Sequence, residues 1–346
     1  MKVCSNCFSD SELQQNILAN YDEIGVCFFC NENNVPLLSI EEFLDFFTSF
    51  IGVFSKQETG IPLIELIQKD WSLFSIKDSN NLLLDKILER IESEIMNSNE
   101  TVSYINEIDE CVRYWDVLKE SIKWEKRFLT NIGDLEEYGW DGLFTRQIMF
   151  SKEEKMFRAR LHFSDQEEFF SEKNMGCPPK EKVMSGRANP EGIPFLYLSK
   201  SVETTVYEIR ATFLDEITIG EFKVKDFENI YLVDFTEVDS AFKNVDEVVK
   251  YAKSMLLKKR ISFDLSKPIR RYDSEFDYIP TQFICEYIRN ITNADGILFN
   301  SSLHLGGKNI VLFNENKVEC VSVQKHRIKK VEILSETIST TTNSVF

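Results

Sequence analysis

The second half of the chain carries arginines that suit an anionic ligand. Arg158 and Arg160 lie two positions apart in the segment 156–163, which is predicted as a strand, so both side chains point to the same face. Guanidinium groups form paired hydrogen bonds with phosphate oxygens, and this pair therefore fits a diphosphate. A solvated charged face is the alternative, because charged side chains are usually exposed. Arg187 follows in a turn-rich segment, where it can reach a ligand or pair with Glu191.

A tyrosine and a glutamate follow on consecutive predicted elements. The segment 195–198 is a short apolar strand in which Tyr197 points away from its two leucine neighbours. Ser201 is a typical N-cap for the helix predicted over 203–212, and this helix carries Glu208. Cation, tyrosine and carboxylate can therefore meet at one strand end. A surface-exposed helical glutamate is the alternative.

Hydroxyl groups follow the strand predicted over 296–299. Ser301 and Ser302 lie on a polar loop that leads through two glycines into the next strand. Such hydroxyls can hold a ribose or a carboxamide, and a plain hairpin connection is the alternative. A Ser-His-Asp triad built from this loop with His304 and Asp295 is a poor fit. Serine and histidine so close on one loop seldom reach the geometry of a triad, and the sequence has no GxSxG motif.

The first 35 residues contain two CxxC pairs with nineteen residues between them. This spacing predicts a structural Zn²⁺ site, because each pair places two sulfurs on one tight turn. A segment too short for its own core also gains stability from a metal. Coincidental buried or redox-active cysteines are the alternative, and four thiolates leave no open position for a catalytic zinc. The predicted ligands are Cys4, Cys7, Cys27 and Cys30.

Helical periodicity dominates the residues that follow. Apolar residues recur at i, i+3, i+4 and i+7 over 40–54, 82–96 and 114–128, which predicts a small helical bundle. Residues 1–150 contain no histidine, so acid–base chemistry by imidazole is excluded there.

After a glycine-containing junction near residue 140, strands and helices mix without regular βαβ alternation. The predicted fold class is therefore α+β. Strands are predicted over 156–163, 195–198, 217–224, 230–233, 296–299, 310–313 and 318–323, and helices over 203–212, 245–257 and 281–290.

The charge of the chain is unevenly distributed. The 346 residues carry a net charge of −17, of which residues 1–150 contribute −15 and the remainder −2. An acidic first half repels a phosphate backbone, which argues against non-specific nucleic-acid binding. Because the sequence has no apolar run of about 18 residues and no secretory h-region, no membrane contact is expected and we expect a cytoplasmic protein.

Three separated motifs in the second half together resemble a known family. They are Arg158 in its strand, GRANPEGIPFLYLSKSVETTVYEIR over 186–210, and GILFNSS with GGKNIVLF over 296–313. In this order and with this spacing they resemble the RES domain family, which is named for an arginine, a glutamate and a serine. The resemblance covers about residues 150–330.

The resemblance implies a fold similar to that of ADP-ribosyltransferases and an activity that consumes NAD⁺. Many members are toxins of toxin–antitoxin modules, and related domains occur in defence systems. The implied enzyme is an NAD⁺ glycohydrolase or phosphorylase that cleaves the nicotinamide–ribose bond and acts as a toxin or antiphage effector by depleting NAD⁺. The alternatives are an ADP-ribosyltransferase that modifies a macromolecule and a non-enzymatic zinc-containing adaptor with a degenerate pocket.

The resemblance also assigns arginines and the tyrosine to positions of this chain. The family arginine falls on Arg158, with Arg160 as the competing position, and Arg187 is the loop arginine. These would fix the diphosphate. The strand tyrosine falls on Tyr197 and would contact the nicotinamide ribose. Some relatives have a tyrosine directly after the first arginine, whereas this chain has Ala159.

The glutamate and the serine follow from the same comparison. The family glutamate falls on Glu208, which would hold a ribose hydroxyl and stabilise the developing positive charge. The serine falls on Ser301, with Ser302 as the competing position, and would orient the nicotinamide end.

The first half resembles the HEPN-like segment that is attached to some RES proteins. Active HEPN ribonucleases need an arginine closely followed by a histidine, so nuclease activity is not expected here. The expected partners are NAD⁺, an antitoxin or regulatory protein, and a second copy of the chain in a homo-oligomer. The predicted domains are a zinc-binding segment 1–35, a HEPN-like helical domain 36–148, a RES domain 149–334 and a flexible tail 335–346.

Overall fold

The computed structural model describes residues 1–75, 79–145, 147–163, 170–236, 240–267 and 275–332. The predicted tail over 335–346 lies outside the described residues. The chain divides into two compact units. The first contains Met1–Ile148, Gly186–Pro190 and Val233–Asn293, and the second contains Met149–Ser185, Glu191–Leu232 and Ala294–Phe346. The four-part domain division given above stays a prediction.

The mixed α and β content predicted from the sequence is confirmed. Within the described ranges the helices are α1 (Ser11–Asn20), α2 (Leu44–Ile51), α3 (Leu63–Trp71), α4 (Asn80–Arg90), α5 (Asn106–Trp124), α6 (Ile132–Glu137), α7 (Val202–Glu208), α8 (Val248–Ser266) and α9 (Ile279–Ile291). The strands are β1 (Lys2–Cys4), β2 (Glu23–Gly25), β3 (Val35–Ser39), β4 (Phe54–Pro62), β5 (Thr101–Tyr104), β6 (Ile148–Phe150), β7 (Met156–Leu161), β8 (Leu196–Ser199), β9 (Glu216–Val224), β10 (Ile230–Asp234), β11 (Gly296–Asn300), β12 (Lys308–Leu312) and β13 (Val318–Arg327).

The helical bundle predicted for the first half is only partly right. Helices form in each periodic segment, but β4 pairs with β5, and β1, β3 and β2 form a small antiparallel sheet in that order. The strand pairing brings the chain unusually close at Gly60, where an added Cβ would lie 2.4 Å from the carbonyl oxygen of Val102. Fully buried phenylalanines form much of the core of this unit, among them Phe8, Phe47 and Phe74. None of the described helices is long and apolar enough to cross a membrane.

The seven strands predicted for the second half are confirmed, with shifted ends. They join β6 in one large sheet with the order β13-β9-β7-β8-β12-β11-β10-β6. The helix predicted over 203–212 is shorter than expected and ends at Glu208. Arg210 has a φ of 51°, and this left-handed conformation does not continue an α-helix.

The sheet opens between β7 and β8. β7 pairs with β9 along its whole length, whereas it pairs with β8 only at Phe157 and Ser199. The pairs that would follow, Arg158 with Leu198 and Ala159 with Tyr197, are not formed between these two described strands. The backbone N–H of Ala159 instead donates to the hydroxyl of Thr205 on α7, at 3.0 Å. Helix α7 therefore replaces the missing strand contact at the opening.

Candidate functional site

Helix α7 carries a carboxylate to the opening in the sheet. The hydroxyl of Ser201 accepts a hydrogen bond from the backbone N–H of Thr204 at 3.1 Å, which confirms the predicted N-cap. Thr205, which bonds to β7, lies three residues before Glu208, about one turn along the helix. Glu208 is half-buried and is the last residue of α7.

One oxygen of the Glu208 carboxylate is held by two donors. Oε1 accepts from the hydroxyl of Ser301 at 2.6 Å and from Nδ2 of Asn309 at 2.7 Å. Within the described part of the chain, no group hydrogen-bonds to Oε2 and no cation lies within ion-pair distance of either oxygen. The carboxylate is therefore oriented through one oxygen while the other is available to a ligand.

Asn309 and Ser199 were not predicted as site residues from the sequence. Asn309 lies on β12 directly opposite Ser199 on β8, and both side chains are buried. A carboxylate can only accept, so the Asn309 amide turns its nitrogen to Glu208 and its oxygen accepts from the Ser199 hydroxyl at 2.8 Å. A polar residue inside the apolar run KNIVLF was the available signal, since a buried asparagine needs partners.

The loop after β11 fixes the hydroxyl of Ser301. Its Oγ accepts from the backbone N–H groups of Leu303 at 3.2 Å and His304 at 3.1 Å while it donates to Glu208. Ser302 is half-buried, and no described group hydrogen-bonds to its side chain. The structure thus brings together Glu208 and Ser301 and leaves Ser302 beside them in sequence.

The residues considered for a Ser-His-Asp triad do not form one. Asp295 precedes β11, where its carboxylate accepts from the backbone N–H of Tyr231 at 3.0 Å and pairs with Lys317 at 2.7 Å. Asp295 and Ser301 lie at opposite ends of β11, six positions apart, which corresponds to roughly 20 Å along an extended chain. The side chain of His304 bonds to Thr204 instead, at 2.9 Å.

Arg158 and Arg160 share one face of β7, as their spacing predicted, but this is not the face of Glu208. Cross-strand pairing puts Phe157 on the side of Ser199 and Asn309, so Arg158 points to the other side. There Nη2 of Arg160 donates to the carbonyl of Gly176 at 2.7 Å. The structure does not bring either arginine into contact with Glu208 or Ser301.

Both guanidinium groups have unused donors. Nη1 of Arg158 and Nε of Arg160 are buried without a hydrogen-bond partner, and no described carboxylate forms an ion pair with either residue. Burial and, secondarily, the neighbouring Arg160 lower the pKa of Arg158. Cys177 lies beside them, and burial together with Glu315 raises the pKa of its thiol to about 12, so the thiol is neutral near pH 7. The pair is therefore a positively charged, incompletely satisfied group next to the opening.

Tyr197 lies on β8 across the opening from Ala159. It is half-buried between two buried leucines, which confirms that it points away from them, and it shares a face with Ser199. Arg187 lies in the segment Gly186–Pro190, which belongs to the first unit. Its guanidinium donates to the carbonyl of Leu265 within that unit. A ligand-binding role for Arg187 stays a prediction.

The N-terminal cysteines lie together as the CxxC spacing predicted. The four sulfurs all lie within 4.8 Å of one another, with separations of 3.4 Å between Cys4 and Cys30, 3.6 Å between Cys7 and Cys27, and 4.0 Å between Cys4 and Cys7. Three of the cysteines are buried in the apolar core of the first unit. This cluster can hold a metal ion.

Comparison with known families identifies a domain in the second half of the chain. The model of the RES domain matches residues 156–334, which include β7, α7 and the loop of Ser301. Searches among curated proteins and among solved structures found no match. Because the matched segment spans more than half of the sequence, the chain belongs to the RES domain family.

Proposed function

We propose that this protein cleaves the nicotinamide–ribose bond of NAD⁺ and that Glu208 is the catalytic carboxylate. The observation that carries the proposal is the state of that carboxylate. Two donors orient Oε1, and Oε2 has no partner among the described groups. Oε2 can then accept a hydrogen bond from a ribose hydroxyl and face the carbon at which positive charge develops. The RES family membership supports an NAD⁺-related activity.

The reaction needs the negative charge of Glu208 near the ribose, and a water molecule. The bond between the ribose C1′ and the pyridinium nitrogen breaks, and nicotinamide leaves as a neutral molecule with the bonding electron pair. The ribose becomes an oxocarbenium ion, which the negative charge of Glu208 stabilises. Water then adds to C1′ and releases a proton, which gives ADP-ribose. A fixed group of this kind typically contributes about 2.7–4 kcal/mol to lowering the barrier.

The geometry favours a positioning role for Ser301. Its hydroxyl proton is directed to Glu208, and its oxygen accepts from two backbone N–H groups. It therefore has little capacity left for the nicotinamide carboxamide, and Ser302 is the better candidate for that contact. Tyr197 would pack against the nicotinamide ribose from the β8 side of the opening.

Arg158 and Arg160 would bind the diphosphate. Their unpaired, buried donors favour an anion, and paired arginines suit phosphate oxygens. They lie on the other face of the sheet from Glu208, so a dinucleotide that contacts both arginines and Glu208 would extend from one face to the other beside the opening between β7 and β8. Arg158 directly follows Phe157, the residue of β7 that pairs with β8, and therefore lies beside the opening.

The cysteine cluster would hold a structural zinc ion. A zinc ion about 2.3 Å from each thiolate sets tetrahedral sulfurs about 3.8 Å apart. The three separations of 3.4–4.0 Å between the cysteine sulfurs lie close to this value. The ion would stabilise the N-terminal segment, whose own regular elements are short strands and α1.

In the cell, the activity would make the protein a toxin or defence effector that depletes NAD⁺ and is controlled by an antitoxin or regulatory partner.

Incubation of the zinc-loaded protein with NAD⁺, followed by mass spectrometry, tests the chemistry. We expect nicotinamide together with free ADP-ribose or its phosphorylated form, and a strong loss of both products in Glu208→Gln. Glu181→Gln, a change at an exposed position of the same unit, should act like the wild type. A gain of mass on a protein would instead indicate ADP-ribosyl transfer, and unchanged NAD⁺ would contradict the proposal.

A further inference from the structure

His304 connects the loop of Ser301 to the helix of Glu208. Its Nδ1 lies 2.9 Å from the hydroxyl oxygen of Thr204, and its ring stacks on Tyr207 with centroids 4.9 Å apart and planes only 4° from parallel. Thr204 and Tyr207 both lie on α7, four residues and one residue before Glu208. The imidazole therefore contacts the catalytic helix at two points.

Hydrogen bonds of the His304 backbone connect this residue to Ser301 within the loop. Its N–H donates to the Ser301 hydroxyl oxygen at 3.1 Å, and its carbonyl accepts from the N–H of Gly307 at 2.9 Å. The loop is closed by the N–H of Ser301, which donates to the carbonyl of Gly307 at 2.8 Å. A movement of His304 would thus be transmitted to the hydroxyl that holds Glu208.

The loop passes close to the imidazole at Gly307. A Cβ on Gly307 would lie 2.7 Å from the hydroxyl oxygen of Thr204 and 2.9 Å from Nδ1 of His304. Real Cβ contacts are not this short, so the loop can take this course beside the Thr204–His304 hydrogen bond only with glycine at this position. Because Gly307 has no side chain, the loop can approach α7 this closely.

His304 is not placed to act on a substrate proton itself. Its Nδ1 is engaged by Thr204, and its Nε2 lies 3.6 Å from the carboxylate of Glu203, a residue on the exposed side of α7. Within the described chain the imidazole makes no hydrogen bond to Glu208. Its contacts are those of a residue that sets the position of a neighbouring loop.

We propose that His304 is a positioning residue that clamps the loop 301–307 to α7 and thereby holds the Ser301 hydroxyl against Glu208. The inference rests on the proposed function for its kinetic consequences, although the clamp itself is a property of the fold. It predicts that the side chains of His304 and Ser301 act on Glu208 as one unit.

Kinetic measurements on His304→Ala, His304→Asn, Ser301→Ala and the double variant His304→Ala/Ser301→Ala test this coupling. We expect His304→Ala to lower kcat by about a hundredfold with little change in KM, because a displacement of about 1 Å can have that effect. His304→Asn should recover part of the loss, since an amide can take the place of Nδ1. The double variant should be no slower than Ser301→Ala alone, because residues that act as a unit are not additive. Additive losses, or full activity of His304→Ala, would overturn the proposal.

A second measurement separates this proposal from the function on which it rests. Carbodiimide coupling of an amine to carboxylates, followed by peptide mass spectrometry, reports the accessibility of Glu208 without NAD⁺. We expect the labelling rate of Glu208 to rise in His304→Ala to the rate found in Ser301→Ala. His326→Ala, a change at an exposed histidine on β13, should leave the rate unchanged. If Glu208 is labelled at the wild-type rate in His304→Ala, the positioning role of His304 is contradicted, even if the protein cleaves NAD⁺. If Glu208 is labelled faster in His304→Ala but the wild-type protein does not cleave NAD⁺, the positioning role of His304 is supported and the proposed function is contradicted.

Discussion

Nδ2 of Asn309 donates to Oε1 of Glu208 across 2.7 Å, from a strand to a helix that lies 101 residues earlier in the sequence. The same amide accepts from Ser199, so its orientation is fixed at both ends. This amide and the Ser301 hydroxyl hold Oε1 of the carboxylate, and Oε2 remains available to a ligand. The catalytic assignment depends on this arrangement.

Asn309→Ala tests the contribution of the amide. Removal of the Nδ2 donor frees the carboxylate to rotate, so we expect kcat for NAD⁺ cleavage to fall by about a hundredfold while the fold is retained. Steady-state kinetics with circular dichroism as the fold check would measure this. Asn316→Ala, a change at an exposed asparagine between β12 and β13, is the matched control. Wild-type kcat in Asn309→Ala would contradict the role of the amide.

Arg158→Met tests whether the half-buried arginine pair binds the substrate. In the folded state the pKa of Arg158 is lowered by burial and by Arg160, so its positive charge is less favourable there than in the unfolded chain. Removing the charge should therefore raise the melting temperature near pH 7. The KM for NAD⁺ should rise roughly tenfold to a hundredfold, because a hydrogen bond to a charged group contributes about 1.5–3 kcal/mol.

Arg113→Met provides the comparison, since the Arg113 side chain is 71% exposed. It should change neither the melting temperature nor KM. If Arg158→Met raised the melting temperature but left KM unchanged, the arginine pair would not be part of the NAD⁺ site.

Gly307→Ala tests the close contact between the loop and α7. The added Cβ would meet Thr204 and His304 at 2.7 and 2.9 Å, so the loop must shift. We expect a loss of about 1–3 kcal/mol in the free energy of unfolding, typical of overpacking, and a lower kcat. Denaturant titration and kinetics measure the two effects. Gly142→Ala, where the nearest atom would lie at an ordinary 3.5 Å, should be close to neutral.

Removal of the metal tests the cysteine cluster. The purified protein should contain one zinc ion per chain by elemental analysis, and Cys7→Ser should lose the metal and melt at a lower temperature. Cys320→Ser, at a half-buried cysteine outside the cluster, should retain the zinc. A metal-free preparation with the same melting temperature as the zinc-loaded protein would contradict a structural metal.

The sequence predicted the features that depend on short spacing. The CxxC pairs gave the cysteine cluster, alternation placed Arg158 and Arg160 on one face, and Ser201 marked the start of α7. The proximity of Glu208 to Ser301 was expected only from the family resemblance, and the hydrogen bond between them agrees with it.

Features that depend on strand order could not be read from the sequence. Which face of β7 meets Glu208 is decided by the pairing of Phe157 with Ser199, a long-range contact. The same holds for Asn309, whose neighbour across the sheet lies 110 residues away. Arg187 looked continuous with the site because it is close to Tyr197 in the sequence, yet its segment belongs to the other unit. Short-range periodicity carries no information on such pairings.

Quantification of nicotinamide is the most direct test of the central claim. Zinc-loaded wild-type protein and Glu208→Gln would be incubated with NAD⁺, and nicotinamide and remaining NAD⁺ would be measured by proton NMR. We predict one nicotinamide for each NAD⁺ consumed by the wild type, and a rate reduced by at least about a hundredfold in a folded Glu208→Gln protein. Intact NAD⁺ after prolonged incubation with the wild type, or equal nicotinamide release by both proteins, would contradict the account.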